Sequence, residues 1–353
     1  MLLLRKNVTY LKKKIKKMIL SINSKYINLW LNTTILMVVI MILIGGITRL
    51  TDSGLSMVEW RPIWGFLPPI SDEEWMRVFL LYTKSPEYIF KNQGMNITEF
   101  KEIFFWEYFH RLWGRLIGIV YAIPLIIFYL SNKIPNLILI KLLSVLFLGS
   151  LQAIIGWWMV KSGLVNDPTV SQYRLVIHLS NALLILFLLL WTLLEFRNGP
   201  SKIKFDFSFL IFCFLFTTII AGAFVAGMDA GLMYNEYPLM GYKLIPENYG
   251  EYGFLDPFEN PASAQFHHRH IALFTTICIL IYCYKNYTQS SDKVVKKFSL
   301  FMSAIVCFQF FLGIFTLINM VPIYLGAIHQ TGAVILFIFL TIIMHRLNII
   351  RIN

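Results

Sequence analysis

The chain has 353 residues, 57% of them hydrophobic and 14% charged, with a formal net charge of +12. A soluble domain carries about 45–50% apolar and about 25% charged residues, so this much apolar side chain has no soluble core to enter; disordered, collagen-like and disulfide-framed secreted proteins are excluded as well. The basic excess does not indicate a nucleic-acid partner, because Lys and Arg gather at predicted membrane edges rather than on one soluble face.

A bilayer core takes about 20 apolar residues per helix. Stretches free of Asp, Glu, Lys and Arg run from Tyr26 to Thr48, from Leu116 to Asn132 (its helix beginning near Trp106), from Leu142 to Val160, from Leu175 to Leu194 and from Phe207 to Met228. Ile271 to Tyr284 is short, which predicts a helix starting near Ala264 with polar residues at its mouth. Phe298 to Met344 is too long for one span, and Asn319 and Pro322 divide it. The fold class is therefore all-α integral membrane, with eight transmembrane helices.

Basic residues from Arg5 to Lys25, then Lys133 and Lys141, Arg197 to Lys204, Lys285 to Lys297, and Arg346 and Arg351 fall on one side. The positive-inside rule puts both termini in the cytoplasm, for a bacterial inner (cytoplasmic) membrane, or in the matrix for a mitochondrial source. The first span exceeds the apolar core of a signal peptide and is read as a retained anchor. The opposite segments at about 49–105 and 229–263 are long, and the first is expected to hold short interfacial helices. Cys213, Cys278, Cys283 and Cys307 all fall inside spans, where small apolar filler is the expected role.

The chain is built twice. Glu107-Tyr-Phe-His-Arg111 opens the second span and Gln265-Phe-His-His-Arg269 the sixth, 158 residues apart at their ligand-type histidines, His110 and His268. His178 of the fourth span matches His329 of the eighth at 151 residues, and Gln152 and Gly156 match Gln309 and Gly313 at 157. Asp52-Ser-Gly-Leu55 closes the first span and Asp229-Ala-Gly-Leu232 the fifth. The predicted architecture is a basic tail (1–26) and two four-helix bundles (27–200 and 201–353), related by a pseudo-twofold axis along the membrane normal.

His110, His178, His268 and His329 each lie within about two turns of the start of an even-numbered span, so the 1.5 Å rise puts all four at similar depth. Two imidazoles facing inward at one level make an axial pair for a haem iron. A di-metal site is the competing reading, but it wants a carboxylate beside each histidine, and only the first half has one. His267 and His270 flank a ligand candidate, and His345 is expected as a helix-end cation. Arg111, Arg269 and Arg115, with Arg49 less favoured, lie where a guanidinium would meet a haem propionate or snorkel to the interface. Glu107 shares a helix face with His110, and its counterpart Gln265 is neutral. An intramembrane carboxylate is a functional candidate by default and suits a proton acceptor; an ion pair to Arg111 or Arg115 is the structural alternative.

Gly45-Gly-Ile-Thr-Arg-Leu-Thr-Asp-Ser-Gly-Leu55, Trp60-Arg-Pro62 and Gly65-Phe-Leu-Pro-Pro69 resemble the first external segment of the haem A synthase family. The two His-Arg motifs, Gln152-Ala-Ile-Ile-Gly156, Ala226-Gly-Met-Asp-Ala-Gly231 with Asn235, and His329-Gln-Thr-Gly-Ala333 extend the resemblance over roughly residues 27–346. The resemblance implies oxidation of a haem O methyl group to a formyl group, by two successive hydroxylations, giving haem A for terminal oxidases. It also implies a haem b cofactor between His268 and His329, haem O as substrate between His110 and His178, and Glu107 as the catalytic carboxylate. Some members carry a cysteine pair in the first external segment. This chain has none there and looks like the cysteine-free branch of alphaproteobacteria and mitochondria.

If both His110 and His178 bind the substrate iron, two routes fit: one ligand leaves so that dioxygen binds, or the iron relays single electrons and oxygen enters from water. The implied partners are a farnesyl-transferring haem O synthase and the terminal oxidase assembly machinery, with membrane lipid around the chain. No motif identifies the electron donor, and a homo-oligomer is compatible with the sequence. Two other functions compete: a di-haem electron-transfer cytochrome that oxidises quinol, and a haem carrier or transporter.

Overall fold

The computed structural model describes residues 2–61, 65–165 and 168–349, with side chains from residue 25 onward. Pro62, Arg351 and the side chains of the basic tail before Lys25 lie outside the described residues. The long helices are α1 (Leu2–Leu50), α4 (Ile97–Leu130), α5 (Asn136–Gly163), α6 (Gln172–Asn198), α7 (Phe207–Gly227), α9 (Pro261–Gln289), α10 (Lys293–Ile318) and α11 (Ile323–Leu347). Among the described residues, three short α-helices lie between them: α2 (Asp72–Tyr82), α3 (Pro86–Phe90) and α8 (Asp256–Glu259). Among the described residues, eight segments, the first being Lys25–Leu50, are long and apolar enough to cross a membrane. This is a multi-pass, all-helical membrane protein.

Two helices begin earlier than the charge-free stretches indicate, because capping chemistry fixes their starts. Asn96 accepts from the Thr98 and Glu99 amides while Glu99 reaches back to the Asn96 amide at 2.9 Å, so α4 starts at Ile97, nine residues before Trp106. Asn260 accepts from the Ala262 and Ser263 amides, and Pro261 takes the first helical position of α9. The break at Asn319 and Pro322 lies where the sequence puts it, between Ile318 and Ile323.

Packing runs round the chain as α1 on α4, α4 on α5 and α5 on α6, then α7 on α9, α9 on α10 and α10 on α11. The two series meet through α6 on α7 and α11 on α1, and α6 and α11 also touch each other. Each contact within the first series has a counterpart in the second. The core lies along the meeting helices, where Leu183, Leu186, Leu189, Leu340 and Ile343 have no exposure. Large apolar residues such as Leu137, Phe308 and Phe311 face outward from α5 and α10, as lipid contact requires. The turns after α1 and α7 are also alike: Asp52 and Asp229 both adopt left-handed backbone, at φ 47° and 52°.

A second, smaller apolar cluster stands beyond the span ends. Tyr82, Phe100 and Phe104 are buried there, packed by Trp75, Phe79 and Tyr88 of α2 and α3. These short helices occupy the long segment expected to hold them. The four cysteines are free, as expected of filler.

Candidate functional site

His110 projects from α4 and His178 from α6, with ring centres 6.5 Å apart and planes inclined at 50°. Two imidazoles sharing one metal, at about 2 Å per metal–nitrogen bond, place their ring centres about 6–6.5 Å apart. The pair therefore has the spacing of axial ligands. His268 of α9 and His329 of α11 occupy the matching helix positions in the second series.

Each ring sits on a glycine of the preceding long helix. A Cβ on Gly45 would lie 3.2 Å from His110 Nε2, and one on Gly156 would lie 3.0 Å from His178 Cε1. On Gly222 it would meet His268 Cε1 at 2.9 Å, and on Gly313 it would meet His329 Cε1 at 2.8 Å. Any side chain there would push the imidazole off its seat. In α5 and α10 a glutamine adds a second hold. The Gln152 amide nitrogen donates to the His178 carbonyl at 3.0 Å and lies 3.3 Å from Nε2. The Gln309 amide nitrogen donates to the His329 carbonyl at 2.7 Å and lies 3.1 Å from Nδ1. Asn181 fixes Gln152 from behind at 2.6 Å. Nδ1 of both His178 and His268 is buried without a hydrogen-bond partner. The His110 and His178 rings, at ligand spacing, seated on glycines and with His178 Nδ1 unpartnered, fit a metal held between them.

Glu107 is 3% exposed, and both of its oxygens are engaged. One pairs with Arg111 of the next turn. The other accepts from Ser56 Oγ at 2.8 Å and from the Met57 amide at 2.6 Å. Arg111 continues to the carbonyls of Met57 at 3.1 Å and Glu59 at 3.4 Å. Glu107 and Arg111 thus clamp the loop that follows α1. The second half repeats the clamp with different polarity. Gln265 accepts from Arg269 at 3.1 Å and donates to the Tyr234 carbonyl at 3.0 Å. Arg269 holds the carbonyls of Tyr234 at 2.8 Å, Glu236 at 3.0 Å and Leu239 at 3.2 Å. The first loop presents donors where the second presents an acceptor, which accounts for an acid in one position and an amide in the other.

The remaining arginines also have protein partners. Arg115 donates to the Arg61 carbonyl at 2.9 Å and lies over the Phe66 ring. Arg49 pairs with Asp52 at 2.9 Å and with Asp229 at 2.6 Å, so it ties the end of α1 to the end of α7. His267 meets the Tyr249 hydroxyl at 3.2 Å, and His270 turns Nδ1 to the Phe266 carbonyl at 2.8 Å. His345 departs from expectation. It lies in the last turn of α11, but it is fully buried with its ring against Trp191 at 5.1 Å. It is a packed core residue rather than an exposed helix-end cation, because α6 covers that turn of α11.

Some contributors carry no motif of their own. Ser56 and Met57 act on Glu107 through a loop, which sequence spacing does not reveal. Gln152 and Gln309 are visible as repeats, but their contact with histidine requires the fold. Glu59, Glu74, Arg61 and Arg77 form an ion-pair network over the α1–α4 segment, with Arg77 to Glu59 at 2.9 Å. The Arg77 hydrogen bond holds the Glu59 carboxyl below its usual range.

This is an all-helical membrane protein with two histidine pairs, each carried by two long helices, α4 with α6 and α9 with α11. Residues 28–341 match the COX15-CtaA family model, described as cytochrome oxidase assembly protein, and the chain belongs to that family. It is 41% identical over 324 residues to "Heme A synthase" of Maricaulis maris, covering 90% of this chain and 95% of that one. It is 41% identical over 326 residues to the protein of that name in Granulibacter bethesdensis, covering 90% and 86%. The one in Wolbachia pipientis wMel is 41% identical over 323 residues, covering 89% and 90%.

Proposed function

We propose that the chain is a haem A synthase, oxidising a methyl group of haem O to a formyl group for terminal oxidase assembly. The observation that carries this reading is a duplicated histidine seat in which only the first copy carries an acid, Glu107, held by donors. The similarity to proteins named heme A synthase, over nine-tenths of the chain, supports the same reading.

In this proposal residues 27–200 and 201–353 are pseudo-twofold-related halves. His110 and His178 hold haem O as substrate, and His268 and His329 hold haem b. The matched packing pairs and the matched Asp52 and Asp229 turns support the two-half division. Bound haem supplies one-electron chemistry at iron. The protein supplies the ligands, an apolar surround and a fixed carboxylate. Glu107, three residues before His110 and held by Arg111, Ser56 and the Met57 amide, would accept a proton as the methyl carbon is hydroxylated twice and the resulting gem-diol loses water to give the aldehyde, the oxidising equivalents coming from dioxygen or through the bound haem. Arg115 and Arg269, with Arg111 and Arg49 beside their acidic partners, are the candidates to meet the two propionates. Orientation follows from the basic residues: both termini are cytoplasmic in a bacterial inner membrane. The segment after α1 has no cysteine, which supports reading the chain as a member that works without a thiol pair there.

The test is Glu107→Gln in a host that makes haem O. Haem b is expected to remain at the second half while haem A formation stops. Undiminished haem A from that variant overturns the assignment.

A further inference from the structure

The two helix contacts that join the halves, α11 on α1 and α6 on α7, are counterparts in the repeat. Shifts of 151 residues between α6 and α11, and of 177 between α1 and α7, superpose their contact positions. At the first step both contacts pair leucine with glycine. A Cβ on Gly326 would meet Leu50 Cδ1 at 2.9 Å, and one on Gly227 would meet Leu175 Cδ2 at 3.4 Å. One turn deeper the two diverge. The α6 position is Leu179, matched by Ala223 in α7; the α11 position is Gln330, matched by Gly46 in α1. Gln330 donates its side-chain amide to the Ile42 carbonyl at 2.6 Å. Its carboxamide fills the space a Cβ on Gly46 would take, with Cδ 2.7 Å from that position.

The neighbours of this contact give it meaning. Gln330 follows His329 directly, and Gly46 follows Gly45, the seat of His110. One glycine pair in α1 therefore supports a histidine of the first half and the residue beside a histidine of the second. We propose that Gln330 is a positioning residue for both histidine sets, and that the Gly45–Gly46 step couples them. A shift of Gln330 moves the outer end of α1, and with it the His110 ring. By linkage, filling one half then changes the affinity of the other by the same factor. At the counterpart positions in α6 and α7 stand Leu179 and Ala223, whose side chains carry no amide to form such a latch. This inference rests on the haem-ligand reading of the four histidines.

The experiment uses purified full-length protein loaded with haem, and reads the low-spin electron paramagnetic resonance and absorption signals of each half. His110→Ala and His329→Ala assign the signals to their halves. If neither variant alters a haem signal, the ligand reading fails, independently of Gln330. Given that assignment, Gln330→Leu is expected to shift the first-half signal and weaken first-half haem retention by about fivefold. Gly46→Ala, which displaces Gln330 from the opposite side, is expected to give the same shift. The double variant should show no more than either single change, because both break one contact. Leu179→Met at the counterpart contact should leave both signals in place. A first-half signal untouched by Gln330→Leu, or strictly additive effects in the double variant, overturns the proposal.

Discussion

At the residue scale, the site is built from close approaches as much as from ligands. Among the four histidine seats Gly313 is the tightest, since a Cβ there would stand 2.8 Å from the His329 ring. Gly313→Ala is a favourable change for a bare helix, by about 1 kcal/mol, yet it overpacks the ring contact by about 1–3 kcal/mol. The expected outcome is a helix of nearly unchanged thermal stability that has lost about tenfold or more in second-half haem retention. Haem-to-protein ratio measured beside a thermal melt checks it. Glu107→Gln carries a structural consequence beside its catalytic one. The new amide would turn a donor toward the Met57 amide or the Ser56 hydroxyl, leaving buried groups mismatched at a cost of about 1–3 kcal/mol. Limited proteolysis of the loop after α1 is expected to speed up in this variant and to stay unchanged in Gln265→Glu controls of the other loop's first contact, Arg269. The histidines and Glu107 were visible in the sequence because polar residues inside apolar spans have few reasons to be there. Ser56, Met57 and Gln330 were not, because each acts across a gap that only the fold closes.

At the element scale, α2 and α3 form a small lid-like cluster that holds one titratable core group. Glu87 is 3% exposed and takes a hydrogen bond from the Tyr82 hydroxyl at 3.0 Å, while Asn92 donates to that hydroxyl at 2.7 Å. Burial first, and then the nearby Glu107 and Asp52 carboxylates, push the Glu87 carboxyl up to about 7, against the opposing Tyr82 hydrogen bond. A raised carboxyl binds its proton more tightly folded than unfolded. Its stabilising contribution is therefore full below the unfolded value of about 4.5 and is lost as pH rises toward 7. The ceiling is about 3 kcal/mol across that window. Hydrogen exchange in α2 and α3 should accelerate between pH 5 and pH 8 beyond the intrinsic rate, and Glu87→Gln should abolish that excess. The short helices were expected from the length of the segment, but Glu87 gave no sign of burial because nothing in its local pattern distinguishes it from a surface acid. Helix starts lie earlier than the charge-free windows for a related reason. Charge-free windows locate the lipid-crossing part, whereas Asn96 and Asn260 set where the backbone begins to coil.

At the scale of the whole molecule, the sequence displayed its eight spans and its internal repeat plainly, since both depend on composition and spacing. It did not display how the series join. That depends on Gln330 against Gly46, on Arg49 bridging to Asp229, and on a core shared by α6 and α11. Arg49→Ala is expected to loosen the joint at the span ends by about 1 kcal/mol, since its partners are partly exposed, and to lower the detergent melting temperature without changing haem type. In the proposed function two histidine sets hold two haems and one set converts its guest. The most direct measurement is haem extraction from the purified protein, made in a host supplying haem O, together with its Glu107→Gln variant. Haem b with haem A is expected in the first and haem b with haem O, but no haem A, in the second. Haem b alone in both, or haem A in both, would contradict it.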